Sequence, residues 1–132
     1  MNIIVCIDDE GGLLFNHRRV SRDTALMEEM GSYVGERLWI QPFSEKLVKE
    51  MGLPYRVSEK LLTEAQRGDY CFVENLALEP YRDQIEQLIV YHWNRKYPSD
   101  FKIDLSLRDF TLLSTTEFKG KAHEKITKEI YQ

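Results

Sequence analysis

The chain has 132 residues, 42% of them hydrophobic and 30% charged, a balance typical of one globular domain over residues 1–132. Its formal net charge of −4 argues against nucleic acid as a partner, because proteins that bind nucleic acid usually carry a basic field. No apolar run approaches the roughly 18 residues that a membrane span needs, and residues 1–6 lack the basic start of a signal peptide. We therefore expect a cytoplasmic protein that binds neither nucleic acid nor membrane.

In the first two thirds of the chain, short apolar runs alternate with segments of helical character. The apolar runs predict strands over residues 2–7, 37–41, 70–73 and 88–93. Residues 13–22 are expected to form a loop. Helices are predicted from a cap at Ser21 or Asp23 to Met30, from Ser44 to about Met51, over residues 58–66 and over residues 76–84.

The last third of the chain changes character. Three strand-like segments, residues 102–105, 110–114 and about 125–131, follow one another with no helix between them. The first two thirds of the chain, in which strands and helices alternate, and the antiparallel last third together predict an α/β fold with a mixed central sheet flanked by helices.

Most standard catalytic motifs are absent from the sequence. There is no phosphate-binding P-loop, no dinucleotide fingerprint and no nucleophile elbow. His17, His92 and His123 lack metal-ligand spacing, so no metal site is expected. Cys6 and Cys71 lie in apolar runs and are interpreted as reduced core thiols, with a redox pair or a nucleophile as the alternative.

Several charged residues remain as candidates for a site. Asp23 stands at the start of a predicted helix, where it either caps the helix or forms the mouth of a pocket as a ligand-binding or proton-relaying carboxylate. The basic residues at positions 17, 18, 19 and 22 either face water or hold an anion. The acidic run at residues 8–10 forms a polar turn or binds a divalent cation, and the turn is favoured.

Motifs over about two thirds of the chain resemble the dihydrofolate reductase family. Residues 3–7 are similar to its first strand, and Gly12-Leu13-Leu14-Phe15-Asn16 resembles a shortened form of the loop that follows. Further likenesses occur at residues 88–93, at Asp100-Phe101-Lys102-Ile103, at Asp109-Phe110 and at Glu117-Phe118. The resemblance implies a dihydrofolate-reductase-like sheet with an antiparallel C-terminal part. It also implies that Asp23 matches the substrate-binding acid of the family's first helix.

The departures from this family fall where its nicotinamide cofactor binds. The family's Gly-Arg-x-Thr is replaced by Gln41-Pro42-Phe43-Ser44, and its Gly-Gly pair by Glu74-Asn75. A side chain and a negative charge then occupy space that a pyrophosphate needs. Residues 51–68 offer no clear counterpart for the segment that receives the adenosine, and Arg19-Val20-Ser21 replaces a Leu-Pro-Trp segment before the acid. No cofactor is therefore expected.

These observations favour a dihydrofolate-reductase-like protein without nicotinamide-dependent reductase activity. We expect a small-molecule ligand near Asp23, the candidate catalytic residue, with Phe15, Asn16, Arg19 and Tyr91 as candidate ligand contacts. Two alternatives stay open: an NADPH- or flavin-dependent reductase of a pterin-like substrate, and a non-enzymatic protein-interaction module. The oligomeric state is open as well.

Overall fold

The computed structural model describes residues 1–132 and contains ten strands and three α-helices. The strands are β1 (Asn2–Ile7), β2 (Gly12–Phe15), β3 (Arg18–Arg19), β4 (Leu38–Ile40), β5 (Arg56–Val57), β6 (Tyr70–Phe72), β7 (Gln87–His92), β8 (Phe101–Lys102), β9 (Leu112–Phe118) and β10 (Ile126–Tyr131). The helices are α1 (Thr24–Val34), α2 (Glu45–Lys49) and α3 (Leu61–Glu64). Short 3₁₀ turns cover Pro42–Ser44, Glu79–Gln84 and Leu107–Asp109. None of the helices is long and apolar enough to cross a membrane.

Seven strands form one mixed sheet in the order β5-β4-β6-β1-β7-β10-β9. The first five of these run parallel, whereas β10 pairs antiparallel with both β7 and β9. The predicted mixed sheet with an antiparallel C-terminal part is therefore confirmed. A second sheet of β3, β2 and β8 lies apart from it.

Alternating side chains of the central strands supply a core on each face of the large sheet. Ile3, Val5 and Ile7 of β1 point into one core, and Ile4 points into the other. All four are almost fully buried, which is why β1 reads as a continuous apolar run rather than an alternating one. Helix α1 covers the second core with Leu26, Met27, Met30 and Val34.

Helix α1 runs four residues beyond its predicted end at Met30. A Cβ on Gly31 would lie 3.1 Å from Leu53 Cδ2, so this glycine allows the helix to pack closely against the segment after α2. The helix ends instead at Gly35, which has a φ of 58°. The glycine at position 31 therefore serves packing and not termination.

The predicted loop over residues 13–22 is mostly a hairpin. Strands β2 and β3 pair in antiparallel fashion around Asn16 and His17, whose φ values are 52° and 64°. Two consecutive residues with positive φ match the twist of a tight hairpin. This turn was not predicted, because histidine is not a usual turn residue.

Other segments also differ from the prediction. Where a helix was predicted over residues 76–84, a 3₁₀ turn covers Glu79–Gln84, and α3 spans only four residues. Strand β9 begins at Leu112 and extends to Phe118, beyond the predicted 110–114. The segment between residues 51 and 68 supplies the edge strand β5, which pairs with β4.

Candidate functional site

The carboxyl ends of β1 and β6 form the natural crevice of this sheet. From β1 the chain passes over one face through α1 toward β4, whereas from β6 it passes over the other face, through Leu78, to β7. Two neighbouring strands whose connections leave in opposite directions open a crevice at their carboxyl ends. Ligands of open α/β sheets bind at such a position.

A narrow internal cavity of about 20 Å³ lies in this crevice. That volume holds about one water molecule. Its lining is mostly apolar but includes charged side chains: Cys6, Leu13, Arg19, Val20, Ser21, Arg22, Asp23, Leu26, Met27, Leu47, Phe72, Glu74 and Trp93. In this conformation the cavity is closed to any larger molecule.

Asp23 is buried and anchors a distant loop to the start of α1. Its carboxylate caps the helix by accepting from the Ala25 N–H at 2.9 Å, and it also accepts from the N–H groups of Lys121 and Ala122 at 2.9 and 2.8 Å. His123 Nδ1 donates to the same carboxylate at 2.9 Å. Burial acts to raise the pKa of Asp23, but these four hydrogen bonds outweigh it and lower the pKa to about 2.

His123 extends this network toward the cavity. Because the Asp23 carboxylate can only accept, Nδ1 carries the proton of a neutral ring and Nε2 is its acceptor. The hydroxyl groups of Ser21 and Tyr97 both lie 3.0 Å from Nε2. The imidazole stacks on Trp93, with ring centroids 4.6 Å apart, so its orientation is fixed from both its edge and its face.

A second buried carboxylate, Glu74, lies on the other side of the cavity. Arg19 donates to both of its oxygens, from Nε at 2.8 Å and from Nη2 at 3.0 Å, and the Ser44 hydroxyl donates at 2.7 Å. The Arg19 guanidinium also lies over the ring of Phe43, 5.3 Å from its centroid. Ser44 was predicted to cap α2, but it makes no cap hydrogen bond and binds Glu74 instead.

Three buried polar atoms at the same end of the sheet have no hydrogen-bond partner. They are Oε1 of Gln41, Oδ1 of Asn75 and Nε1 of Trp93. These residues follow β4, β6 and β7, respectively. The chain has only one other such atom, in Arg82. Since buried polar groups are nearly always paired, each of these atoms calls for a water or a ligand as its partner, and of the three residues only Trp93 lines the internal cavity.

The other predicted ligand contacts lie outside the internal cavity. Phe15 is 49% exposed and borders an open surface depression together with Asn16. The Asn16 N–H donates to Asp100 Oδ2 at 3.0 Å. Tyr91 is fully buried, and its hydroxyl bonds to Tyr33 and Glu29, away from the cavity. Arg19 and Asp23 are thus the predicted residues that the fold brings to the cavity wall.

The acidic run after β1 forms a polar turn. Asp8 Oδ1 accepts from the N–H groups of Glu10 and Gly12, and Oδ2 accepts from the N–H of Tyr97. Burial acts to raise the pKa of Asp8, but these backbone donors outweigh it and the pKa is lowered. The carboxylate serves the turn, and no group of three His, Cys, Asp or Glu side chains in the chain is arranged to hold a metal ion.

Both cysteines are free, as expected for core thiols. Cys71 is buried in one core, and burial raises its pKa to about 12. Cys6 packs against the other core and lines the cavity, and burial raises its pKa as well. Because the two thiols face opposite sides of the sheet, they do not form a redox pair.

Sequence reasoning missed His123 and Trp93 as members of the site. His123 lies 100 positions from Asp23, and no local motif joins them. Trp93 ends a predicted strand, and its exposure of 3% is that of a core residue. Only the unpaired indole N–H marks its place at the cavity wall, and no sequence pattern carries that information.

Comparisons with known proteins support the fold. No protein-family model matches the chain, and no curated protein sequence matches it. Among 233 matching chains of solved structures is the dihydrofolate reductase from Enterococcus faecalis complexed with NADP(H) and RAB-propyl. It is 9% identical, with a TM-score of 0.68, and the match covers 99% of this chain and 94% of that one. The chain therefore has a dihydrofolate-reductase-like fold, as the sequence motifs predicted.

Proposed function

We propose that this protein binds a small, flat heterocyclic ligand in the crevice between β1 and β6, without nicotinamide-dependent reductase activity. The observation that carries the proposal is the set of unpaired buried atoms of Gln41, Asn75 and Trp93 at the carboxyl ends of three strands. Two of these atoms are amide oxygens and one is an indole N–H. Trp93 lines the internal cavity and Asn75 lines an open groove nearby, so a ligand with both donors and acceptors that spans the two spaces would pair with both.

A pterin-like ring has this character. It is flat, it carries donors and acceptors on one edge, and the apolar cavity wall of Leu26, Met27 and Phe72 suits its faces. The Asp23 carboxylate already accepts four hydrogen bonds, so it holds the wall in place and does not itself receive the ligand. Glu74 is the carboxylate that an amidine-like group would reach.

Entry of a ligand requires the Arg19 side chain to move. Its guanidinium closes the cavity by binding Glu74, yet the Arg19 side chain keeps 25% of its surface exposed. Phe43, whose ring lies beneath the Arg19 guanidinium, lines an open groove of about 480 Å³ together with Leu14, His17, Asn75, Asp100 and Phe101. Rotation of Arg19 into this groove would join the two spaces and free Glu74 for a ligand.

The same ion pair argues against a nicotinamide dinucleotide. Glu74 follows β6 and bonds to Ser44 just before α2, so a fixed negative charge lies where phosphates would approach this end of the sheet. The Glu74 carboxylate would repel a phosphate group that came close to it, because both groups are negatively charged. A working reductase of a pterin-like substrate would have to hold NADPH or a flavin elsewhere.

The experiment is a titration with folate, followed by thermal shift and by ¹H–¹⁵N correlation spectra. We expect saturable shift changes at residues 19–23, 41 and 74–75. Gln41→Met should weaken folate binding while leaving the free protein as stable or about 1 kcal/mol more stable, because it removes an unpaired buried amide. Gln66→Met, at an exposed position, is the matched control and should change neither property.

Two results would count against this site. Absence of saturable shift changes in the crevice at millimolar folate would exclude a pterin-type ligand. Equal affinity of the wild type and Gln41→Met for folate would place binding outside the crevice.

A further inference from the structure

Ser21, His123 and Asp23 form a hydrogen-bonded chain that ligand binding does not require. Ser21 Oγ lies 3.0 Å from His123 Nε2, and His123 Nδ1 lies 2.9 Å from Asp23 Oδ2. A hydroxyl, an imidazole and a carboxylate in this order are the arrangement that activates a serine for acyl transfer. We propose that Ser21 is the nucleophile of an esterase-like site, with His123 as general base and Asp23 as the residue that positions it. The substrate class is a carboxylic ester of a small acid.

The orientation of the imidazole suits this role. Asp23 holds the proton of the neutral ring on Nδ1, so the lone pair of Nε2 faces the Ser21 hydroxyl. The low pKa of Asp23, near 2, keeps its carboxylate charged beside the imidazolium that forms during proton transfer. The stacked Trp93 prevents the ring from tilting away.

The exposure of the three residues increases toward the nucleophile. The side chains of Asp23 and His123 expose 0% and 2% of their surfaces, whereas Ser21 is partly exposed and lines the cavity. An open depression of about 320 Å³, bordered by Val20 and Tyr97, lies next to it. The Tyr97 hydroxyl lies at the same 3.0 Å distance from Nε2 and competes with Ser21 for its single lone pair, so this hydroxyl must turn away when Nε2 takes the proton of Ser21.

Groups that could stabilise negative charge lie next to Ser21 in the chain. The backbone N–H groups of Ser21, Arg22 and Asp23 donate to no acceptor in the protein. They lie directly before the 11-residue helix α1, whose dipole favours negative charge at its start. The Arg22 side chain also lines the cavity. These donors are suited to the oxyanion of a tetrahedral intermediate.

The reaction has two balanced steps. Ser21 Oγ attacks the ester carbonyl carbon as its proton passes to His123 Nε2, and the carbonyl electron pair moves to the oxygen. The intermediate collapses with loss of the alcohol, which takes the proton from His123 and leaves an acyl-Ser21 ester. Water then attacks the acyl carbon with His123 again as base, and the carboxylic acid departs with the Ser21 hydroxyl restored.

The test is labelling of the full chain with an alkyl fluorophosphonate, followed by intact mass and peptide mass spectrometry. Ser21 Oγ should displace fluoride from phosphorus and give one adduct, located at Ser21. His123→Gln should slow labelling by about 10²–10⁴-fold, since the general base is lost. Hydrolysis of p-nitrophenyl acetate should fall in parallel.

Ser21→Ala removes the nucleophile but leaves every contact of Asp23 with its donors, so it tests the proposal even if His123→Gln does not fold. It should abolish the adduct, and Ser106→Ala, at an exposed serine, should leave labelling unchanged. Absence of labelling at Ser21 in the folded wild type, or the same adduct in Ser21→Ala, would overturn the proposal. Neither result depends on folate, so failure here is distinct from failure of ligand binding.

Discussion

Two buried carboxylates face one cavity, and they are held in different ways. Asp23 accepts three backbone N–H groups and an imidazole, two of the backbone donors coming from a loop about 100 residues away. Glu74 is held by side chains alone, Arg19 and Ser44. Backbone donors cannot leave without unfolding the loop, whereas an arginine side chain can rotate. The difference indicates a rigid wall at Asp23 and a movable closure at Glu74.

The largest effect on stability is expected at Asp23, the rigid wall of the cavity. Asp23→Asn replaces one acceptor oxygen with an NH₂ group that faces N–H donors, and it removes the charge. Leaving these buried donors unpaired should lower the free energy of unfolding by about 3 kcal/mol or more. Urea denaturation measures the loss, and Asp109→Asn, in an exposed ion pair with Arg82, is the control with little effect. A loss as small as that of the control would mean that Asp23 is not the anchor.

The pH dependence of stability sharpens the same point. The pKa of Asp23 falls from 3.8 to about 2 on folding, so its stabilisation is fully present above the unfolded value and is lost as the pH falls through about 2. The contribution is roughly 2 kcal/mol. Wild type and Asp23→Asn, unfolded in urea at several pH values from 5 to about 2, should converge in stability as the pH falls. A constant gap would contradict the assignment.

A smaller effect on stability is expected at the movable closure, the ion pair of Arg19 and Glu74. In a double-mutant cycle of Arg19→Gln and Glu74→Gln, the coupling energy should be about 1–2 kcal/mol, because the pair is bidentate but partly exposed. Arg19→Gln should also speed ligand entry, since it removes the closure. A coupling near zero would show that the ion pair does not close the cavity.

The smallest effect is expected at Ser44. Ser44→Ala removes one hydrogen bond to Glu74 and keeps the bidentate arginine, so the loss should be about 1 kcal/mol. Thermal unfolding beside Ser32→Ala, whose exposed hydroxyl donates to the Glu29 carbonyl, separates this buried hydrogen bond from a surface one. Equal losses in the two variants would indicate that Glu74 is already well solvated.

Much of the sheet could be predicted from the sequence because its central strands are buried on both faces. Strands β1, β6 and β7 appear as continuous apolar runs, and the antiparallel end appears as strands without helices between them. The hairpin at Asn16 and His17 was missed because its positive φ angles depend on pairing and not on a strong turn motif. The extension of α1 beyond Met30 was not predicted, because the close contact of Gly31 with Leu53 that accommodates it is tertiary.

The site was predictable only in part. Asp23 stands out in the sequence because a cap position and a family motif coincide there, and Glu74 stands out as a departure from that motif. The partners that define their roles, His123 and Arg19, come from other elements, so contact between them depends on the folded chain. Asp23 is held by backbone donors, and Glu74 is held by side chains that can move. These donors become neighbours of the two carboxylates only in the folded chain.

The most direct test of the claim that Glu74 and Arg19 exclude a nicotinamide dinucleotide is a titration of the wild-type protein with NADPH, followed by cofactor fluorescence. Glu74 and its bonded arginine should prevent binding, so no saturable signal is expected up to millimolar NADPH. Saturable binding at micromolar concentrations would contradict this interpretation, because it would require a dinucleotide site that tolerates the carboxylate at the end of β6.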